Sequence, residues 1–201
     1  MVEHFIFGYG SLINTQSRTG TSETGKPIPV RIKGVQREWN IVVPDYHQTG
    51  LGVIYVPQST CNGVIVPVTE SGLAKFDERE LKHGYEQVQI ERQTIEVLTG
   101  IQIPAEGDVL MYITKNPGSP SDDCPIAQSY LDVVVAGCLE FGDEFAREFI
   151  ATTQGWEHPW VNDRANPRYR GTVGGVPVTK IDQLLDEIIP EAYKKRKVNV
   201  V

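Results

Sequence analysis

The apolar run Phe5-Ile6-Phe7, with Phe5 and Phe7 in the alternate positions of a buried strand, turns abruptly to loop chemistry at Gly8-Tyr9-Gly10-Ser11-Leu12. Residues 14–29, rich in Ser, Thr and Gly and without hydrophobic periodicity, read as a long surface loop. From Arg31 the texture changes: Ile32, Val35, Trp39, Ile41 and Val43 among polar neighbours predict one long or two shorter strands, ended by Pro44. Residues 50–56 and 61–68 predict two more strands, with Pro57-Gln58-Ser59-Thr60 between them as a hairpin connection, so the sheet is expected to be largely antiparallel. Leu73, Phe76, Glu80 and Leu81 fall at helical spacing, and a helix is predicted over 71–82, closed by Gly84.

Beyond it, 85–98 alternates again and predicts a strand pair or one bent strand, and 109–114 a further strand behind the turn Glu106-Gly107-Asp108. Pro117, Gly118 and Pro120 make 115–123 a loop. Helical periodicity returns over 126–139, against the β-branched triplet Val133-Val134-Val135, and over 143–152. Residues 155–177 are irregular and rich in aromatics, Pro and Gly, and a closing helix over 181–195 carries Leu184, Leu185, Ile188 and Ile189 on its apolar face. No internal repeat is evident.

A chain of 201 residues, 40% hydrophobic, suffices for one well-cored domain or a domain with an appendage. A formal charge of -7 argues against sequence-independent nucleic-acid binding, which needs a positive surface. Cys61, Cys124 and Cys138 form an odd set without a Cys-x-x-Cys pair, so neither a disulfide framework nor a zinc knuckle is indicated and a reduced, intracellular compartment fits. With no basic and apolar leader around Glu3 and His4, and no run of membrane-spanning length, the expectation is a soluble, cytoplasmic protein. His4, His47, His83 and His158 never stand at ligand spacing, so no metal and no cofactor are predicted. The basic run Lys194-Lys195-Arg196-Lys197 closes a helix, where cations complement the dipole, and reads as a solvated end.

Two stretches carry candidate chemistry. The glycine turn at 8–12 either aims consecutive N–H groups into a hollow suited to a carboxylate or oxyanion, or is an ordinary turn out of a strand. In Phe76-Asp77-Glu78-Arg79-Glu80-Leu81, Glu80 shares the apolar stripe with Phe76 and Leu81. A carboxyl placed there loses solvation, which raises its pKa toward general acid/base use; alternatively it pairs with Arg79 or Arg92 and is structural. The stretch from Trp156 to Tyr169 mixes Trp156, Trp160 and Tyr169 with Asp163, Arg164, Arg168 and the adjoining Arg170, and suits a substrate-selecting lid, a dimer contact giving a homodimer, or a strap packed on the body. In the lid case Arg164 would meet a carboxylate in the departing part of the substrate.

The loop Phe7-Gly8-Tyr9-Gly10-Ser11-Leu12, then Gly63-Val64-Ile65, then Phe76-Asp77-Glu78-Arg79-Glu80 and Gly84-Tyr85, in that order and spacing, resembles the γ-glutamyl cyclotransferase family and its AIG2-like and ChaC-like relatives. The family's Tyr-Gly-Ser-Leu loop falls on Tyr9, Gly10, Ser11 and Leu12, and its acid on Glu80, with Phe76 in place of a leucine. A later Pro-Ser-x-x-Tyr-like element matches Pro125 to Leu131 less well: its tyrosine falls on Tyr130, and the serine is displaced. The resemblance covers roughly 1–140, leaving 141–201 as a C-terminal extension expected to pack on that domain without being independent.

The resemblance implies an α+β fold, a small, mainly antiparallel β-barrel flanked by helices, and release of an amine from a γ-glutamyl compound as 5-oxoproline. In that cyclisation the substrate's own α-amine is the nucleophile, so positioning and proton traffic suffice. Glu80 would carry the proton, the amides of 9–12 would hold the substrate's α-carboxylate or the oxyanion, and Tyr130 would offer a hydroxyl. The departing group, an amino acid, a dipeptide as in glutathione or an amine, stays open. A non-catalytic small-molecule-binding module on the same fold is the alternative.

Overall fold

The strand chemistry of the opening stretch is realised in the computed structural model, which describes residues 4–198, as β1 (His4–Gly8). Phe5 and Phe7 face one core and Ile6 the other, as a two-residue period requires. After a single 3-10 turn, Ser11–Ile13, the loop expected over 14–29 begins instead with a short helix, α1 (Thr15–Thr19), whose Asn14 cap accepts the Ser17 N–H at 3.0 Å.

β2 (Ile28–Val43) and β3 (Gln48–Val68) form one long antiparallel hairpin. This corrects the hairpin expected at 57–60: the chain turns at Pro44–Tyr46, with His47 in the left-handed region at φ 49°. Pro57-Gln58-Ser59 is the outer side of an irregularity inside β3. The register passes from Val35 opposite Tyr55 to Lys33 opposite Thr60, so residues 56–59 face Gly34 alone, at φ 84°.

α2 (Glu70–Leu81) follows, capped by the Thr69 hydroxyl, which accepts the Gly72 N–H at 3.1 Å. The segment 85–98 is neither a strand pair nor one strand. β4 (Tyr85–Gln89) pairs with β6, and β5 (Ile95–Val97) pairs with β2 on the other side of the sheet, β6 being Asp108–Thr114. β1 lies between β3, antiparallel, and β6, parallel. Two residues, β7 (Ile126–Ala127), join β3 in parallel before α3 (Gln128–Leu139) begins.

α3 is buried along nearly its whole length, which explains Val133-Val134-Val135. Helix formation costs a valine at most about 0.7 kcal/mol, whereas burying its side chain returns about 1.5 kcal/mol or more. α4 (Asp143–Thr152) has the bounds expected from periodicity. β8 (Trp160–Asn162) adds in parallel to β7. The closing helix is two: α5 (Val178–Ile188) and α6 (Pro190–Lys195), broken where Pro190 cannot continue the ladder, before β9 (Lys197–Val198) pairs with β8.

The result is an α+β fold with a large mixed sheet, its long ladders antiparallel, flanked by helices. Among the described residues no ladder joins β4 to β5, so the sheet curls around its inner core without a continuous closed seam. Phe5, Phe7, Val30, Val53 and Met111 fill that inner core, while Ile6, Trp39, Val64, α3, α4 and α5 form a second core on the outer face. Trp156 and Trp160 belong to the second core, so 141–198 shares its apolar interior with 4–140. Among the described residues no helix is long and apolar enough to cross a membrane.

Candidate functional site

A cavity of about 890 Å³ opens between the turn end of the β2–β3 hairpin, α1, α2, Tyr130 at the start of α3, and the segment 167–172. Glu80, in the last turn of α2, lines it with a side chain only 13% exposed. Both readings of Glu80 turn out to act together. Arg79 Nε stands 3.2 Å from Glu80 Oε1, yet the carboxyl pKa is raised: burial pushes it up further than the Arg79 and Lys82 cations pull it down.

Arg79, absent from the residues expected at the site, is the connector. One guanidinium nitrogen donates to the Thr21 hydroxyl at 2.6 Å and the Ser17 carbonyl at 3.2 Å; another donates to Ser11 Oγ at 2.9 Å. The glycine turn and the acid are therefore joined through one side chain. The 3-10 turn Ser11–Ile13 leaves its leading N–H groups without acceptors inside the turn. Gly10 does not take up positive φ, as a strained loop would need; it sits at φ −134°. Its requirement is space, since a Cβ there would stand 3.0 Å from the Tyr130 hydroxyl.

Tyrosines wall the acid. Tyr130 lines the cavity and Tyr9 lies behind it, its hydroxyl donating to the Tyr112 carbonyl. Tyr85, also not foreseen, lines the cavity and donates to the Leu51 carbonyl at 2.7 Å, while the Leu51 backbone hydrogen-bonds Tyr130. Burial first, and the Glu80 carboxylate with neighbouring phenols after it, hold the pKa values of Tyr9, Tyr85 and Tyr130 above the usual range. All three remain protonated donors at neutral pH. Leu12 is core, packed with Ile6 and Ile13, and does not line the cavity.

Arg164 is elsewhere, which corrects its expected place at the departing group. Its Nε and NH2 bind the buried Asp132 carboxylate at 2.7 and 2.8 Å, and NH1 binds Asp182 at 2.8 Å, pinning the chain after β8 to α3 and α5. Arg196 is likewise no solvated helix end: it donates to Gln128 Oε1 at 2.5 Å and lies over the Tyr193 ring at 4.0 Å. Besides Arg79, the arginines lining the cavity are Arg168 and Arg170. Asp163, fully buried, accepts from Ser129 N at 2.8 Å, Ser129 Oγ at 2.7 Å and Arg168 N at 2.8 Å. Tyr169 then stacks edge-on against Tyr130 with ring centroids 5.0 Å apart. The segment is thus a strap, anchored by Asp163, and it lines one side of the cavity. Among the described residues no cluster of three or more His, Cys, Asp or Glu side chains is placed to hold a metal ion.

No family model matches the chain, and no curated protein matches it by sequence. Its backbone does match solved structures. It is similar to a structure described as γ-glutamyl cyclotransferase at 18% identity and a TM-score of 0.61, covering 92% of this chain and 97% of that one. An uncharacterised protein from Homo sapiens matches at 19% identity and a TM-score of 0.59 with the same coverage. YkqA from Bacillus subtilis matches at 16% identity and a TM-score of 0.52, over 76% of this chain and 56% of its own length. At such identities the likeness is one of fold, and it extends through the C-terminal segment that the sequence motifs do not reach. The chain carries the γ-glutamyl cyclotransferase fold.

Proposed function

We propose that this protein is a γ-glutamyl cyclotransferase-type enzyme that releases 5-oxoproline and an amine or amino acid from a γ-glutamyl compound. The observation that carries the reading is a buried carboxyl of raised pKa, Glu80, lining a roomy cavity and linked through Arg79 to the glycine turn. The substrate's α-ammonium gives a proton to the Glu80 carboxylate. The freed amine attacks the γ-carbonyl carbon, forming the ring C–N bond; the amide C–N bond breaks as Glu80 returns the proton to the departing nitrogen, and the second proton shed by the ring nitrogen passes to the released amine, which leaves as an ammonium. A pKa raised from the ordinary carboxylate range suits a group that must both take and return that proton.

The surrounding donors have work in this scheme. Protonated Tyr130 is a hydroxyl donor at the wall, Tyr85, its proton held by the Leu51 carbonyl, offers lone pairs there, and the amide of Ser11, which lines the cavity, would meet an anionic part of the substrate, its α-carboxylate or the developing oxyanion. Binding the substrate folded, with amine against carbonyl, supplies much of the rate, since a five-membered closure needs orientation above all. The test is to incubate purified protein with γ-glutamyl amino acids, γ-glutamyl dipeptides and γ-glutamyl amines and to assay 5-oxoproline. Stoichiometric 5-oxoproline and free amine from at least one class supports the proposal. Saturable binding of these compounds without product would replace it with a non-catalytic binding module.

A further inference from the structure

The outer end of the cavity holds two polar groups that the fold itself does not satisfy. Gln48, the first residue of β3, lines the cavity and is buried, yet its carboxamide makes no hydrogen bond with a described residue and its Oε1 is wholly enclosed. A buried amide left without a hydrogen-bond partner is destabilising, and such a group calls for a partner. Its terminal torsion is soft, so either end of the carboxamide can turn toward a ligand. Arg170, exposed in the strap segment, lines the same cavity and makes no ion pair with a described residue. Arg168 donates to the carbonyl of His47, next to Gln48, and so brings that segment to this end of the hairpin.

β3 gives the spacing. A Cβ on Gly50 would lie 3.9 Å from the Tyr85 hydroxyl, at the end of the cavity where Glu80 sits. Gln48 is two residues earlier on the same face, about 7 Å further out. Two extended residues of a ligand span about the same length.

A carboxamide offers one donor edge and one acceptor, the complement of a peptide unit, and a free guanidinium matches a carboxylate with two parallel hydrogen bonds. We propose that Gln48 and Arg170 form a subsite for the departing group and select one that is peptide-like and ends in a carboxylate. Gln48 meets its peptide unit and Arg170 its terminal carboxylate. This rests on the cyclotransferase reading of the Glu80 end.

The experiment measures kcat and KM by 5-oxoproline release for wild type, Gln48→Leu and Arg170→Ala on three substrates: a γ-glutamyl dipeptide, its C-terminal amide, and a γ-glutamyl alkylamine. Arg170→Ala should raise KM for the dipeptide about tenfold or more and leave the other two nearly unchanged, with kcat retained. Gln48→Leu should raise KM for the dipeptide and its amide and spare the alkylamine. Equal effects on all three substrates, or none, would overturn the subsite. If wild type turns over none of them, the cyclotransferase reading fails, and calorimetric binding of the dipeptide decides the subsite separately. Affinity about tenfold weaker in Arg170→Ala than in wild type supports it, and equal affinity or no binding to either overturns it.

Discussion

At the scale of single residues the site is a contest between burial and one arginine. Burial raises the Glu80 pKa, and Arg79 at 3.2 Å holds part of that rise back. Arg79→Met removes the opposing cation, so the Glu80 pKa should climb further and the acid limb of the kcat/KM profile should move to higher pH; a limb that stays in place would detach Arg79 from the acid's titration. Gly10→Ala puts a methyl group 3.0 Å from the Tyr130 hydroxyl and should lower kcat/KM about tenfold while the melting temperature changes little; the reverse pattern would mark the glycine as purely structural. Glu80 was legible in the sequence because an acid on an apolar stripe is conspicuous. Arg79, Tyr85 and Gln48 were not, since each reaches the cavity only through the way α2, β4 and β3 meet. Arg164 misled for the same reason: composition showed a cation among aromatics and could not show Asp132 and Asp182 waiting on other helices.

At the scale of elements, α2 and α4 were legible, whereas the long hairpin and the short α1 were not. Residues 70–81 and 143–152 follow their apolar period closely, whereas the proline and small polar residues at 57–60 carry turn chemistry that the fold uses for a bulge against Gly34. The true turn at Pro44–Tyr46 is hidden in the sequence because Pro44 ends a strand whatever follows it, and the left-handed residue that completes the turn is His47, where a glycine or asparagine is usual. The segment 163–172 owes its position to charged anchors on other elements. Arg164→Ala leaves the Asp132 carboxylate, nearly buried, without its bidentate partner and should cost on the order of 3 kcal/mol of stability, read from the denaturant midpoint. Substrate KM values should shift together if at all, because Arg164 does not line the cavity. A selective rise in KM for carboxylate-bearing substrates with stability unchanged would restore it to the site.

At the scale of the whole molecule, the two cores explain why the motif match ended near 140 while the fold match did not. α4, α5, Trp156 and Trp160 complete the core that β1 and α3 begin, and their contribution is apolar packing, which leaves no short motif to recognise. The fold also carries a cost at Glu80. Its pKa is higher folded than unfolded, so the stability linked to it is full below the ordinary carboxylate pKa and is lost as pH rises through the raised value. Glu80→Gln should therefore match or exceed the wild-type melting temperature near neutral pH, with the difference growing as pH rises across that window. A variant markedly less stable than wild type at neutral pH would make Glu80 a structural ion-pair member first.

Whether Glu80 carries the proton in a cyclisation is read from single-turnover formation of 5-oxoproline by wild type and Glu80→Gln on the best γ-glutamyl substrate, with substrate affinity measured alongside. Glu80→Gln should lose 10³-fold or more in rate, roughly what removing a general acid/base costs, with affinity within about threefold. A Glu80→Gln rate within tenfold of wild type would contradict that role.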